Sequence, residues 1–443
     1  MFRTIVLVAA LLQAGAAPKA GLDVPFTQFT LPNGMHVILH EDHTVPLVTV
    51  NVWYHVGSAR EKPGRTGFAH LFEHLMFMGS KHAKYGDFDR LLEAAGGTNN
   101  ASTAEDRTNY YIDVPSNALE LALFLESDRM AYLLDAMSPK TVDAQRDVVK
   151  NERREGVENA PYGMASIEIA GMLYPKGHPY RWPVIGHMED LTAASYEDVV
   201  EFFRTYYQPA NASLVVAGDI EPAGTRALVE KWFAEVKPGT APLPPIDYPR
   251  PNVTAVQKKT ITDRVQLPRL YLTWVSPPHL TPGDAELDVV SSLLAGGKNS
   301  RLYKRLVYEL QIAQDVAAVQ ASKTLNSEYQ IIVTARPNAS IDRIRGIVDE
   351  ELRRLQQAPP SDREFQRALN QIESSFYDRM ERIGAYGGVG DQLNAYYFAA
   401  GNPGYFNEDL ARYRALSPAD VTAAAARFLP LDRRVELIVE PQK

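Results

Sequence analysis

The chain has 443 residues, 45% of them hydrophobic, with a formal net charge of −8 and a pI near 5.8. That length exceeds what one hydrophobic core serves and suits two domains of about 200 residues. The acidic balance recommends no nucleic-acid partner, and zero cysteines exclude structural disulfides and a lipid-modified cysteine.

Residues 1–20 read as a secretory signal, with Arg3 as the basic start, Ile5 to Leu12 as the apolar core and Gly15-Ala16-Ala17 as the cleavage region. The apolar run is well short of the roughly 20 residues that span a bilayer. The expectation is a periplasmic protein without stable membrane insertion, its mature chain beginning near Pro18.

Past an apolar strand from Leu47 to His55, His70-Leu71-Phe72-Glu73-His74 falls in a helix-favouring run between Gly67 and Gly79. His70 and His74 stand one turn apart, so both rings can reach one ion at about 2.0–2.1 Å, while Glu73 points to the same side without having to bind. Glu73 is then free to take a proton from water activated by zinc. His-x-x-Glu-His is the inverzincin order. Next, Gly97 to Ala104 resembles an edge strand beside the metal, able to receive a peptide by strand addition. A catalytic site needs a third protein ligand, and Gln145 to Glu155 offers acids at helical spacing. Glu152 is the first choice and Glu155 the reserve.

Lys237 to Pro245, running on to Pro249 and Pro251, is proline-rich and extended, so it reads as a linker. The expected organisation is a signal at 1–20, an N-terminal zinc-binding domain at 21–236, a linker at 237–252 and a C-terminal domain at 253–443. The halves end alike. Ser195 to Ala217 and Ser417 to Val439 are each a capped helix, a proline break and a strand, which suggests duplication. The second half lacks His-x-x-Glu-His. It does carry Arg301 and Tyr308, seven residues apart and therefore on one face of an α-helix. A guanidinium and a phenol can both donate to a developing oxyanion. The glycine-rich stretch Ile383 to Gly390 lacks the lysine and spacing of a phosphate loop; it reads as a mobile segment lining a chamber or hinge, or as a simple interhelical loop. Amphipathic helices such as Leu119 to Leu134 and Ile341 to Leu355, mixed with strands in no strict βαβ rhythm, favour an α+β fold.

Five stretches in order, Leu31 to Met35, His70 to His74, Gly96 to Ala101, Val149 to Arg154 and Ser300 to Tyr303, give a resemblance to the pitrilysin or insulinase family of zinc metallopeptidases. Within that family the chain is most similar to the short bacterial members related to the mitochondrial processing peptidase. The resemblance implies His70, His74 and Glu152 as zinc ligands and Glu73 as general base. It places Arg301 and Tyr308 across from the zinc, binding substrate and polarising the scissile carbonyl, and Asn100 and Ala101 on the substrate main chain. It implies two tandem homologous domains, each a mostly antiparallel sheet of about six strands with helices on one face. Gln145 stands where family members often carry glutamate. The implied activity is endopeptidase cleavage of peptides or unfolded segments in a clamshell chamber, by a homodimer or a heterodimer with a paralogous subunit. A non-catalytic peptide-binding partner subunit and a zinc hydrolase of a non-peptide substrate are the alternative readings.

Overall fold

A computed structural model describes residues 21–239, 243 and 245–442; the expected signal and part of the expected linker lie outside the described residues. The first sheet contains β1 (Thr27–Thr30), β2 (His36–Glu41), β3 (Leu47–Tyr54), β4 (Thr98–Thr103), β5 (Thr108–Pro115) and β6 (Ala212–Gly218). Their order is β1-β2-β6-β3-β5-β4, and every pair is antiparallel except β2 with β6. The second sheet contains β7 (Gln257–Asp263), β8 (Arg269–Ser276), β9 (Ala313–Ala321), β10 (Ser327–Ala335) and β11 (Val435–Pro441) in the order β7-β11-β8-β10-β9, with β7 and β11 parallel. Without β1 the two orders coincide strand for strand, as a duplication requires. The second sheet has five strands because the segment before β7 carries Pro245, Pro249 and Pro251, which cannot supply the amide donors of a further strand.

The first half adds helices α1 (Phe68–Leu75), α2 (Asp87–Ala94), α3 (Leu119–Ala136), α4 (Pro139–Arg153), α5 (Ala165–Leu173), α6 (Met188–Ala193), α7 (Tyr196–Tyr206) and α8 (Pro222–Phe233). The second adds α9 (Asp284–Ala295), α10 (Ile341–Gln357), α11 (Asp362–Met380), α12 (Val389–Ala400), α13 (Phe406–Arg414) and α14 (Pro418–Phe428). The matching helices α7 and α14 both begin with a capping box, Ser195 with Asp198 and Ser417 with Asp420.

Each sheet packs its own helices on one face. Val48, Val50, Val52, Leu214 and Val216 meet α1, α3 and α7 in one core; Leu270, Leu272, Ile331 and Val333 meet α9, α10 and α14 in the other. The opposite faces are covered too, by an exchange of helices. Val389, Leu393 and Tyr396 of α12 cover Val215 and Ala217 of the first sheet, while Ala165 and Ile169 of α5 cover Tyr271, Leu437 and Val439 of the second. Burial on both faces explains why β6 is buried throughout. Polar residues on the first sheet's outer face find partners on α12. Asp391 Oδ1 accepts from Trp53 Nε1 and Asn109 Nδ2, both at 2.9 Å, and Asn394 Nδ2 donates to Asn51 Oδ1 at 2.8 Å.

A second buried polar group marks the C-terminal half. Asp288 in α9 accepts from the Tyr413 hydroxyl at 2.7 Å, and burial, with Asp284 and Asp409 nearby, pushes its carboxyl up to about 7. The folded state therefore holds this proton at pH values where the unfolded chain has released it. Stability conferred by the protonated group is complete below the ordinary aspartate value of 3.8 and is lost as pH rises towards 7. Asp288→Asn keeps an acceptor for Tyr413 and removes the titration. The variant is expected to melt above the wild type at pH 8, by the equivalent of a few kcal/mol on the order-of-magnitude scale of such shifts, and the gap should close below pH 4 in a calorimetric pH series.

Candidate metal centre and active site

Helix α1 starts at Gly67, whose φ of 89° is left-handed and which offers no side chain as a cap. The buried Glu61 takes over that function. Its Oε2 accepts from Gly67 N at 2.9 Å and its Oε1 from Ala69 N at 2.8 Å, satisfying amides that the helix cannot pair itself. Burial pushes the Glu61 carboxyl up to about 8, against the pull of these backbone donors.

Helix α4 begins with Ser138 accepting from Thr141 N and Pro139 at its first position. Its last turn presents Glu152, and the buried Arg153 ties that turn down by donating from Nη1 to Gly186 O at 2.7 Å. Gly186 in turn lies against Gly67: a Cβ on Gly186 would stand 2.5 Å from Gly67 Cα. Thr66 closes the corner, its hydroxyl donating to Asp190 Oδ2 at 2.6 Å and accepting from His187 N at 2.8 Å. The end of α4 and the start of α1 are thus fixed to one short loop.

This corner brings His70, His74 and Glu152 together, one donor atom from each lying within 4.8 Å of the others. Glu152 Oε1 stands 3.7 Å from His70 Nε2, and Oε2 stands 3.2 Å from His74 Nε2. The two rings are 4.9 Å apart between centroids and inclined at 77°. Burial lowers the His70 pKa, which favours the neutral imidazole that a metal needs. The hydrogen bond with His74 lowers that of Glu152. His70 Nδ1 is buried without a partner. Glu155 is not in the cluster, because the backbone past Arg153 changes to i→i+5 bonding (Asn159 N to Arg154 O, 2.7 Å) and turns it off the α4 face. Gln145 directs its amide to Met78 Sδ.

Glu73 is held from the sheet. Its Oε2 accepts from Thr103 Oγ1 at 2.6 Å at the end of β4, which leaves Oε1 for other work. Strand β4 is the edge of the first sheet, pairing only with β5, and it carries Asn100 and Ala101. Asn100 Oδ1 accepts from Ala101 N at 2.8 Å, so that amide is capped locally.

The α-helical spacing expected between Arg301 and Tyr308 is not the winding found there. The segment Tyr303–Glu309 is a π-helix, with Leu310 N bonded to Arg305 O, so a seven-residue spacing there no longer implies a shared face. Arg301 Nε donates to Glu364 on α11 at 3.0 Å, whereas Tyr308 is 73% exposed. Neither has a described contact with His70, Glu73, His74 or Glu152. By strand-and-helix order, α9 and α11 stand where α1 and α4 stand in the first half, and there Ser292 Oγ meets Gln371 Oε1 at 2.8 Å in place of imidazoles and carboxylate. The Ile383–Gly390 loop is pinned. Ala385 N donates to Asp113 at 2.9 Å, Gly387 N to Asp391 at 2.9 Å and Gly390 N to Ile383 O at 3.0 Å. Gly384 serves close approach, since a Cβ there would stand 2.0 Å from Asp113 Oδ1.

A duplicated α+β chain with a His/His/Glu corner in its first half defines a class, and the comparisons agree with it. The insulinase (peptidase family M16) model matches residues 36–165 and the peptidase M16 inactive domain matches residues 193–372. The zinc protease PqqE of Helicobacter pylori is 30% identical over 378 residues, covering 84% of each chain. The crystal structure of a protease from Helicobacter pylori superposes with a TM-score of 0.88 at 26% identity, over 94% of this chain and 100% of that one. That of the periplasmic protease PqqL from Escherichia coli gives 0.78 at 18% identity, over 95% of this chain and 48% of that one, a likeness of fold. This chain belongs to the M16, or insulinase, peptidase family. Among the described residues no helix is long and apolar enough to cross a membrane.

The contact between Gly186 and Gly67 makes a prediction. Gly186 has a φ of 80°, and a Cβ there would also stand 2.6 Å from Thr66 O. Gly186→Ala should cost about 2–5 kcal/mol in urea unfolding, from left-handed strain plus overpacking. A loss below about 1 kcal/mol would show that the two backbones can separate at little cost.

Proposed function

We propose that this chain is a zinc-dependent endopeptidase that hydrolyses peptides or unfolded segments. The observation that carries the reading is the convergence of His70, His74 and Glu152 beside a carboxylate, Glu73, that is held but not used as a ligand. Tetrahedral zinc with bonds of about 2.0–2.2 Å sets neighbouring donors roughly 3.3–3.6 Å apart. The two carboxylate–imidazole separations, 3.7 and 3.2 Å, fall on either side of that spacing. Imidazole and carboxylate are donors that suit zinc, and the relative from Helicobacter pylori is named a zinc protease.

His70, His74 and Glu152 would hold the ion, which when bound supplies Lewis acidity that activates water and polarises a carbonyl. Glu73 takes the proton of the attacking water on its free Oε1 and passes it to the leaving amine. Thr103 keeps the carboxylate aimed while this happens. The substrate main chain lies along β4 by strand addition, with Asn100 and Ala101 as its contacts. Backbone pairing of this kind accepts many sequences, which suits unfolded segments.

Arg301 and Tyr308 act on the substrate from a second subunit, in a dimer of this chain or with a paralogue. Their lack of any described contact with the metal corner supports this, as does the presence of this fold in a chain of which it covers 48%. We divide the chain at residues 237–252 into a metal-bearing and a substrate-binding half. The pattern of residues 1–20 supports export to the periplasm.

Glu73→Gln should retain metal yet lower cleavage of a quenched peptide by about 10²–10⁴-fold, the usual range for a general base; wild-type turnover by that variant refutes its role. Glu152→Gln should weaken metal affinity and activity by about 10-fold or more, whereas Glu155→Gln should leave both near wild type. Peptide binding without turnover, unaffected by chelation or zinc, would instead favour the non-catalytic subunit.

A further inference from the structure

The second half carries a cleft of about 1020 Å³ bordered by the π-helical segment, the end of α10 and the first turns of α11. Six of its lining residues are cationic and three anionic, although the whole chain has a net charge of −8. Most of the cations are neutralised locally. Arg301 pairs with Glu364, Arg305 with Glu350 and Glu351, Arg354 with the same two glutamates, and Lys304 lies 3.7 Å from Glu309.

Arg363 and Arg367 remain, with no described hydrogen bond or ion pair. They stand four residues apart on one face of α11, so they repel each other. Arg363 occupies the second helical position, where the helix dipole disfavours a cation. Nε and Nη2 of Arg367 are buried without a partner, an arrangement that costs stability unless an acceptor arrives. Two guanidiniums held in an unfavourable place, both lining one cleft and both lacking acceptors, are what a carboxylate-binding subsite requires.

We propose that Arg363 and Arg367 form a subsite for the carboxylates of a peptide, giving the enzyme a preference for substrates with an acidic residue or a free C-terminus in this cleft. The assignment of peptides as the ligand rests on the peptidase reading above. Arg301, bound to Glu364 on the neighbouring face of α11, borders the same cleft, so a chain seated there passes beside it.

The test uses the full chain carrying Glu73→Gln, so that no turnover intervenes, and labelled peptides of one sequence in three forms. The first has glutamates and an amidated C-terminus, the second glutamines and a free C-terminus, and the third glutamines and an amide. The proposal expects the first or second form to bind about 10-fold or more tighter than the third at low ionic strength, with the gap shrinking in high salt; which form wins distinguishes side-chain from terminal carboxylate. Arg363→Gln/Arg367→Gln should erase the gap, Arg363→Lys/Arg367→Lys should restore part of it, and Arg363→Gln alone should melt no lower than its parent because it relieves an unfavourable charge. Equal affinity for all three forms, or an undiminished gap in the double glutamine variant, overturns the subsite. If the gap behaves as expected while the zinc-loaded wild type cleaves no peptide, the failure lies with the peptidase reading and the subsite stands.

Discussion

Where Gly186 presses against Gly67, two backbones come closer than any side chain would allow, and the corner of His70, His74 and Glu152 depends on that approach. Gly67 starts the helix that bears His70, Glu73 and His74; Gly186 accepts from Arg153, the residue after Glu152. The positions of the two helices are therefore set by a shared loop instead of by the imidazoles and carboxylate themselves. A site of this kind needs its residues held by the packing and hydrogen bonds around them rather than by one another. Glu61 supplies the rest of that scaffold, capping α1 where glycine cannot.

The exchange of α5 and α12 joins the two halves of the scaffold. Each sheet would expose an apolar face if its half stood alone, and each is closed by a helix from the other half. Side chains at the end of β4 are also tied to the second half. Arg107 donates to Ser102 O in β4 and stacks near both Trp53 and Tyr386, the latter in the glycine-rich loop. Glu105 and Asp106, at the β4–β5 turn, bond to Lys323 and to Thr324 N of the matching β9–β10 turn. Glu73 takes its hydrogen bond from Thr103 just before this turn, so its carboxylate is oriented by an element that both halves hold.

Much of this was legible in the sequence, for identifiable reasons. The His-x-x-Glu-His spacing works because helical geometry fixes which residues share a face, and the preference for Glu152 over Glu155 agrees with the corner that forms. The paired endings around Ser195 and Ser417 gave the duplication through local capping signals. What stayed hidden was long-range or depended on winding. No local signal links Glu61 or Gly186 to α1. The continuous apolar run of β6 announces burial on both faces but not that α12 provides one of them. The π-helix at Tyr303–Glu309 breaks the α-helical spacing that linked Arg301 to Tyr308, and within the glycine-rich loop, which suggested mobility, Gly384 serves instead for tight contact with Asp113.

The central claim is that His70, His74 and Glu152 grip one divalent cation. Diffraction data collected on either side of the zinc absorption edge test it most directly. The account predicts one anomalous peak per chain, within about 2.0–2.2 Å of His70 Nε2, His74 Nε2 and a Glu152 oxygen. A zinc-soaked crystal with no peak at this corner, or with its peak elsewhere, would contradict it.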